Sequence, residues 1–394
     1  VIPEHAARQS SQLDPETSWT VVTEAPLKGL GLAREAGTIL AWDETDQLYL
    51  IDLRGNYRSV SRAPGKVVSA AISDDGTRIV LLGDRGRVWM LDADLRVVSD
   101  RQGPPEPLAL AIDPHGRYVL VTSKIGFAQF YNRHGKPAGK FETTQALAFV
   151  AFIPDRPILL GAAAYGSLSA LDLSEAGSEK LSAEVDWEDR QIGGVGRLTT
   201  TGDGSMVLAS CFTHGVQRYD LHGHNEGSYH LGGTAVHAVP DFAGRMIAVA
   251  SLEGELSLLN SGGNVRWKTG LPRPVNALEV DPLGRYLIYG HDTGGSSGST
   301  FTAPTPRSLP HRSRRPASDR LPARGCAPPR SRSEPLTGRF RSRATTSRPS
   351  RPCSLCWMTR RGSVCSPPTS GSSCSPRAAR TSATLRRSSG SGGS

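Results

Sequence analysis

Four cysteines near the C-terminus are the first residues that could do chemistry: Cys353-x-x-Cys356, then Cys365 and Cys374. Four thiolates can close a tetrahedral shell around zinc. No strand-forming or apolar residues flank them to hold a knuckle, so no metal is expected there. His214, His224, His230 and His237 are grouped loosely, at spacings that match no compact metal motif. Gly193-Gly194-Val195-Gly196 has the composition of a phosphate-cradling loop, yet no Walker lysine follows and no helix is expected. It reads better as the loop that enters the next strand. Asp74-Asp75 and Asp113 sit at turn positions, where carboxylates cap backbone amides. These patterns single out no catalytic residue, cofactor or metal ligand.

The elements that must carry these residues divide the chain in two. The net charge of the 394 residues is +9, but residues 296–394 hold 19 Arg, no Lys and two acids, or +17. Residues 1–295 therefore carry 27 Lys and Arg against 35 Asp and Glu, or −8. Cysteine splits at the same place, with Cys211 alone in the body. A body with one thiol has no disulfide framework, which favours a reducing, cytoplasmic setting. No stretch is long and apolar enough to span a bilayer as a helix. The start at Val1, without an initiator Met, leaves room for an upstream targeting segment or domain.

The body repeats. Glycines that follow a polar turn stand at 37, 76, 116, 204, 244 and 284, spaced 39, 40, 88, 40 and 40. The interval of 88 hides one copy in which Arg156 fills the glycine position, so that turn is expected to differ from its counterparts. A second marker, an Asp or Asn closing a later apolar run, falls at 52, 92, 132, 172, 220 and 260, spaced 40, 40, 40, 48 and 40. Each copy contains short apolar, β-branched runs between Gly, Pro and Asp, such as Ile79-Val80-Leu81-Leu82, as buried strands do. A more polar fourth run, such as Val97-Val98-Ser99, ends it. Four antiparallel strands per forty residues make one blade of a β-propeller.

In period, strand order and the Asp or Asn that ends strand three, residues 20–295 resemble the WD-repeat-like β-propeller superfamily. The Gly-His and Trp-Asp marks of that family do not recur; Trp42-Asp43 is isolated and falls in strand two. The chain is closer to divergent bacterial propellers, including pyrroloquinoline-quinone-type repeats, which Gly263-Asn264-Val265-Arg266-Trp267 resembles. The expected fold is all-β, a propeller of about seven four-stranded blades, six complete and the seventh interrupted. An N-terminal extension covers 1–17, the propeller 18–295, and an Arg/Ser/Pro-rich disordered tail 296–394. The resemblance implies that the strand at 19–24 completes the last blade.

After Gly295 the pattern stops in mid-blade. The tail reads either as a disordered basic segment, unable to bury a core, or as frameshifted sequence. Read two bases later, Trp357-Met358-Thr359 gives Asp-Asp, and Gly298 to Thr302 permits an apolar, Asp or Asn, apolar, Tyr or His series. Leu171-Asp172-Leu173 shows the same apolar-Asp-apolar series in an earlier blade. As written, strand three of blade seven is replaced, and the strand at 19–24 is expected to lose its neighbour. Arg312, Arg314, Arg315, Arg339, Arg341 and Arg343 would bind anions non-specifically if the tail is expressed. Phe301, Phe340 and Trp357 are too few to interleave with them, so no specific nucleic-acid readout is expected.

The 48-residue repeat adds eight residues, placed by the sequence around 183–193, where Trp187 and Arg190 lie among Glu184, Asp186, Glu188 and Asp189. A Trp and an Arg on a loop have the character of interface anchors. The competing reading folds Trp187 back over a blade edge. The expected function is a non-catalytic scaffold that binds a protein or peptide through loops on one face. Turns between strands two and three supply Arg85, Lys124, Tyr165, His214 and Glu253, with Trp187 and Arg190 alongside. The alternative is a propeller enzyme or cofactor binder of quinoprotein-dehydrogenase type, which needs acidic ligands and stacking aromatics at the axis.

Overall fold

A computed structural model describes residues 15–175, 179–292 and 299–306, with backbone alone at 191, 192, 292 and 299–306. The chain divides into two compact units, 1–314 and 315–394, and all described residues belong to the first. The four tail cysteines, the arginine cluster, Phe340, Trp357 and most of the N-terminal extension lie outside the described residues. Among the described residues every regular element is a strand.

The repeat folds into consecutive antiparallel meanders. The first sheet is Leu27–Ala33, Thr38–Asp43, Gln47–Asp52 and Tyr57–Arg62. The second is Val67–Ile72, Arg78–Gly83, Arg87–Asp92 and Val97–Gln102. The third is Pro107–Ile112, Tyr118–Ser123, Phe127–Asn132 and Pro137–Glu142. The fourth, Leu147–Phe152, Ile158–Ala163 and Tyr165–Glu175, shares its last strand, Leu181–Thr200, with the fifth. Residues 181–194 pair with the fourth sheet, and 195–200 with Val207–Cys211, ahead of Gly215–Tyr219 and Asn225–Tyr229. The sixth is Ala235–Pro240, Met246–Ser251, Glu255–Asn260 and Val265–Gly270. The seventh orders Val275–Val280, Leu287–Asp292, Ser299–Pro306 and, from the other end of the chain, Pro15–Val22.

Side chains of a strand alternate between its two faces, and here both faces are covered. Ile79 and Leu81 enter the core between the first and second sheets, while Val80 and Leu82 enter the core between the second and third. That is why the second strands read as unbroken apolar runs. Seven such cores occur, one between each pair of successive sheets and one between the seventh and the first, where Val21, Ala277 and Ile288 meet Leu27, Leu30 and Ile39. The first strands also pack in succession, with Val275–Val280 beside Leu27–Ala33. The fourth strands face solvent and are polar, as in Tyr57–Arg62.

Three features differ from the sequence expectation. The eight extra residues are not at 183–193. Asp172 pairs with Glu184, twelve residues on, whereas Asp92 bonds to Arg96, four residues on, so the addition lengthens the hairpin within 173–183. Trp187 and Arg190 consequently stand on a strand, not a loop, and the glycine run at 193–196 is a continuation of that strand. The strand at 15–22 does have a neighbour: Val22, Val21 and Thr20 pair with Thr300, Phe301 and Thr302 of Ser299–Pro306, a strand beyond the expected boundary at 295. The Arg156 turn does depart from its counterparts. The six turn glycines have φ between +60° and +74°, while Arg156 is not in the left-handed region. Its N–H reaches the Ile153 carbonyl only at 3.4 Å, against 2.9 Å for Gly76 to Ser73.

Candidate functional site

Because successive strands run in opposite directions, each sheet has two different ends. One carries the turns between strands one and two and between strands three and four. The Asp or Asn that closes strand three accepts two backbone amides there, as Asp52 does from Arg54 at 2.8 Å and Asn56 at 2.9 Å. Asn260 does the same with Gly262 and Asn264. The Arg96 amide holds the Asp92 carboxyl below its ordinary value. Asp113 caps the Tyr118 amide at 2.8 Å, and Asp241 the Arg245 amide at 2.7 Å. The acids at this end therefore build turns.

The opposite end carries the turns between strands two and three and the links between sheets. Arg85, Lys124, Tyr165, His214 and Glu253 all lie there and are exposed, Tyr165 at 76%. Glu253 accepts the Thr234 amide at 2.8 Å, and hydrogen bonding from the Thr234 side chain, then from backbone amides, holds its carboxyl below the ordinary value. His214 bonds through Nδ1 to the Thr213 hydroxyl at 2.7 Å. The same turns expose apolar residues that the sequence reading passed over: Ile125 at 62%, Phe212 at 43% and Leu252 at 58%. Aligning the turn positions copy by copy would have found them, since each sits one or two residues from a residue already named. A Cβ at Gly194 would meet both Phe212 at 2.8 Å and Tyr165 at 3.3 Å. The missing side chain lets the two rings flank one stretch of backbone.

Trp187 does not join them. Its indole N–H donates to the Leu221 carbonyl at 2.8 Å, and its ring covers Gly223 at the Asp-turn end of the fifth sheet. Arg190 is exposed, two residues before Ile192, which pairs with Gly166 beside Tyr165.

Along the centre, a cavity of about 460 Å³ is lined by first-strand residues of all seven sheets. Aliphatic residues, Phe149 and Phe152 line it, but its exposed surface is more polar than apolar, with Arg34 paired to Asp74 at 2.9 Å and Arg197 to Glu279 at 2.5 Å. Arg197 also donates to the Leu278 carbonyl at 2.7 Å, reaching past the sixth sheet to the seventh. His237 of the sixth sheet is largely buried with its Nδ1 unpartnered. Burial, then the Arg197 charge, push its pKa down to about 3. Burial pushes the Cys211 thiol up to about 11. No group of three metal-ligating side chains occurs among the described residues. The chain matches no family model and no curated protein.

Proposed function

We propose that the seven sheets are the blades of a β-propeller and that the protein is a non-catalytic scaffold, binding a protein partner through the end that carries the second-to-third-strand turns. The order of the seventh sheet supports the architecture, because a strand from the N-terminus, Pro15–Val22, completes a sheet begun 260 residues later, with Ser299–Pro306 lying between it and Leu287–Asp292. One observation carries the function. Four consecutive sheets, the third to the sixth, expose a large apolar side chain at the same turn of the same end. Apolar exposure repeated in the same turn of successive sheets marks an interaction surface, whereas single scattered residues would need no explanation. The quinoprotein-like alternative needs carboxylates and stacking aromatics at the axis. In the central cavity the two carboxylates, Asp74 and Glu279, are each paired to an arginine.

The test is site-specific photo-crosslinking in extract of the source cells. Photoreactive residues at Tyr165 and His214 should give a discrete adduct, identifiable by mass spectrometry. The same residue at Thr77 or Leu283, at the opposite end, should not. Equal labelling from both ends would overturn the assignment of the binding face.

A further inference from the structure

We infer that this face takes an elongated acidic segment of another protein, one whose carboxylates alternate with apolar side chains. The inference rests on the protein-binding reading above and adds the chemistry of the partner. Ile125, Tyr165, Phe212 and Leu252 belong to four successive sheets, so a segment touching all of them must run along an arc and cannot be a single inserted side chain. Aromatic and aliphatic anchors of this kind contribute by leaving water.

Each anchor has a basic neighbour. Lys124 precedes Ile125 in its turn, Arg190 lies beside the Tyr165 turn, and His214 shares the Phe212 turn. Arg273 lies in the link whose Leu271 amide bonds to the Gly254 carbonyl, beside Leu252. Lys124, Arg190 and Arg273 have no ion-pair partner among the described residues. Of the acids on the same arc, Glu253 already receives the Thr234 amide and Asp189 is engaged with the Tyr219 side chain, while exposed Glu142, paired with Phe127, stands beside the Lys124 turn. Unpaired cations between apolar anchors attract carboxylates locally, against the net −8 of residues 1–295, so the partner's acids must sit at Lys124, Arg190 and Arg273 themselves. Glu106 lies against the Lys124 turn, its carbonyl accepting the Lys124 amide at 2.9 Å, and marks the end of the arc towards the second sheet.

The experiment uses the full chain and fluorescein-labelled synthetic peptides read by anisotropy. One peptide alternates Glu with Leu and Phe, a second carries Lys for each Glu, and a third carries Ser for each apolar residue. The acidic-apolar peptide should bind, more weakly as salt rises, and the other two should bind at least about tenfold more weakly. Tyr165→Ser with Phe212→Ser should lower that affinity by about tenfold or more, and Lys124→Glu with Arg273→Glu should shift preference towards the Lys peptide. Leu283→Ser, at the other end of the sheets, should change nothing, and unchanged melting of every variant shows that folding is intact. A preference of the unaltered protein for the Lys peptide, binding indifferent to Tyr165 and Phe212, or no binding of any peptide overturns the inference. Crosslinks from Tyr165 to a partner segment that is not acidic would sink this chemistry while leaving the binding face in place.

Discussion

Three aromatic side chains act as latches between sheets, each seated on a glycine. Trp19 donates its indole N–H to the Leu53 carbonyl at 2.9 Å with its ring over Gly55. Trp187 repeats this on Leu221 and Gly223, and the Tyr229 hydroxyl donates to the Ser261 carbonyl at 2.7 Å with its ring against Gly263. The glycines have φ of +84°, +81° and +79°, so they are needed twice, for the left-handed turn and for the space the ring fills. Trp187→Ala should cost about 2–4 kcal/mol and lower the melting temperature without touching peptide binding. Gly223→Ala should cost at least roughly 1–2 kcal/mol for its backbone alone. A melting temperature unchanged in Trp187→Ala would return the residue to the role of a surface anchor. The sequence showed an aromatic among acids at Trp187 but not its seat, because the seat lies 34 residues away in the next repeat. His237 offers a second measurement. Its folded pKa is about 3, below the 6.5 of an open histidine, so the unfolded chain takes up a proton that the folded chain refuses. Stability from this site is whole above about pH 6.5 and falls as pH drops towards 3, by up to about 1.4 kcal/mol per pH unit. His237→Gln should therefore lose less melting temperature between pH 7 and pH 4.5 than the unaltered protein. An equal loss would locate the acid sensitivity in the carboxylates.

The lengthened hairpin of the fourth sheet breaks the forty-residue spacing. Its strands reach Glu175 and begin again at Leu181, and they lean on the third sheet. Tyr118 donates to Glu175 at 3.3 Å, Asn132 donates to Glu179 at 2.6 Å, and Leu181 enters the core between the third and fourth sheets. The 48-residue spacing counted the extra residues correctly, while their place was misread for a physical reason. An outer strand has solvent on much of its surface, so 184–190 lacks the apolar alternation that announces a strand, and its acids read as a loop. The inner strands were legible because their side chains are covered on both faces and leave unbroken apolar runs. The turn face was legible only in part: Lys124, Tyr165, His214 and Glu253 were found through turn position, and Ile125, Phe212 and Leu252 were passed over. Replacing residues 173–183 by the Leu-His-Gly that follows Asp220 restores the forty-residue spacing. Circular dichroism should be unchanged, with stability lower by about 2–4 kcal/mol from the buried Leu181 and the lost polar contacts. Loss of cooperative unfolding would make the hairpin part of the folding core.

At the scale of the whole molecule, the seventh sheet is where the repeat and the written sequence part company. Ser299–Pro306 holds the place of its third strand, pairing with Tyr289 to Asp292 on one side and with Pro15–Val22 on the other. It includes Pro304 and Pro306, which have no amide to donate to a ladder and which pair with Thr17 and Pro15 beyond the stretch, 299–302, that pairs with Leu287–Asp292. Trp267 stands on the fourth strand of the sixth sheet, paired with Leu258, as Trp187 is paired with Ala170. By the latch pattern it should seat on a glycine turn at the end of the seventh sheet's third strand. Its indole N–H has no hydrogen-bond partner among the described residues. The reading frame two bases on permits such a seat: among the series allowed by the codons spanning Ser299 to Ala303 is Asp-Leu-His-Gly, the sequence of the turn at Asp220-Leu221-His222-Gly223 that receives Trp187. A frameshift before Ser299 would account for the interrupted repeat and the unseated tryptophan together. Expression of both frames decides it. The restored frame should melt higher, resist trypsin beyond residue 295, and shift Trp267 emission to the blue as the ring is covered. Equal melting and equal protease resistance, with an intact frame in the coding DNA across codons 290–303, would establish the written strand as the native one.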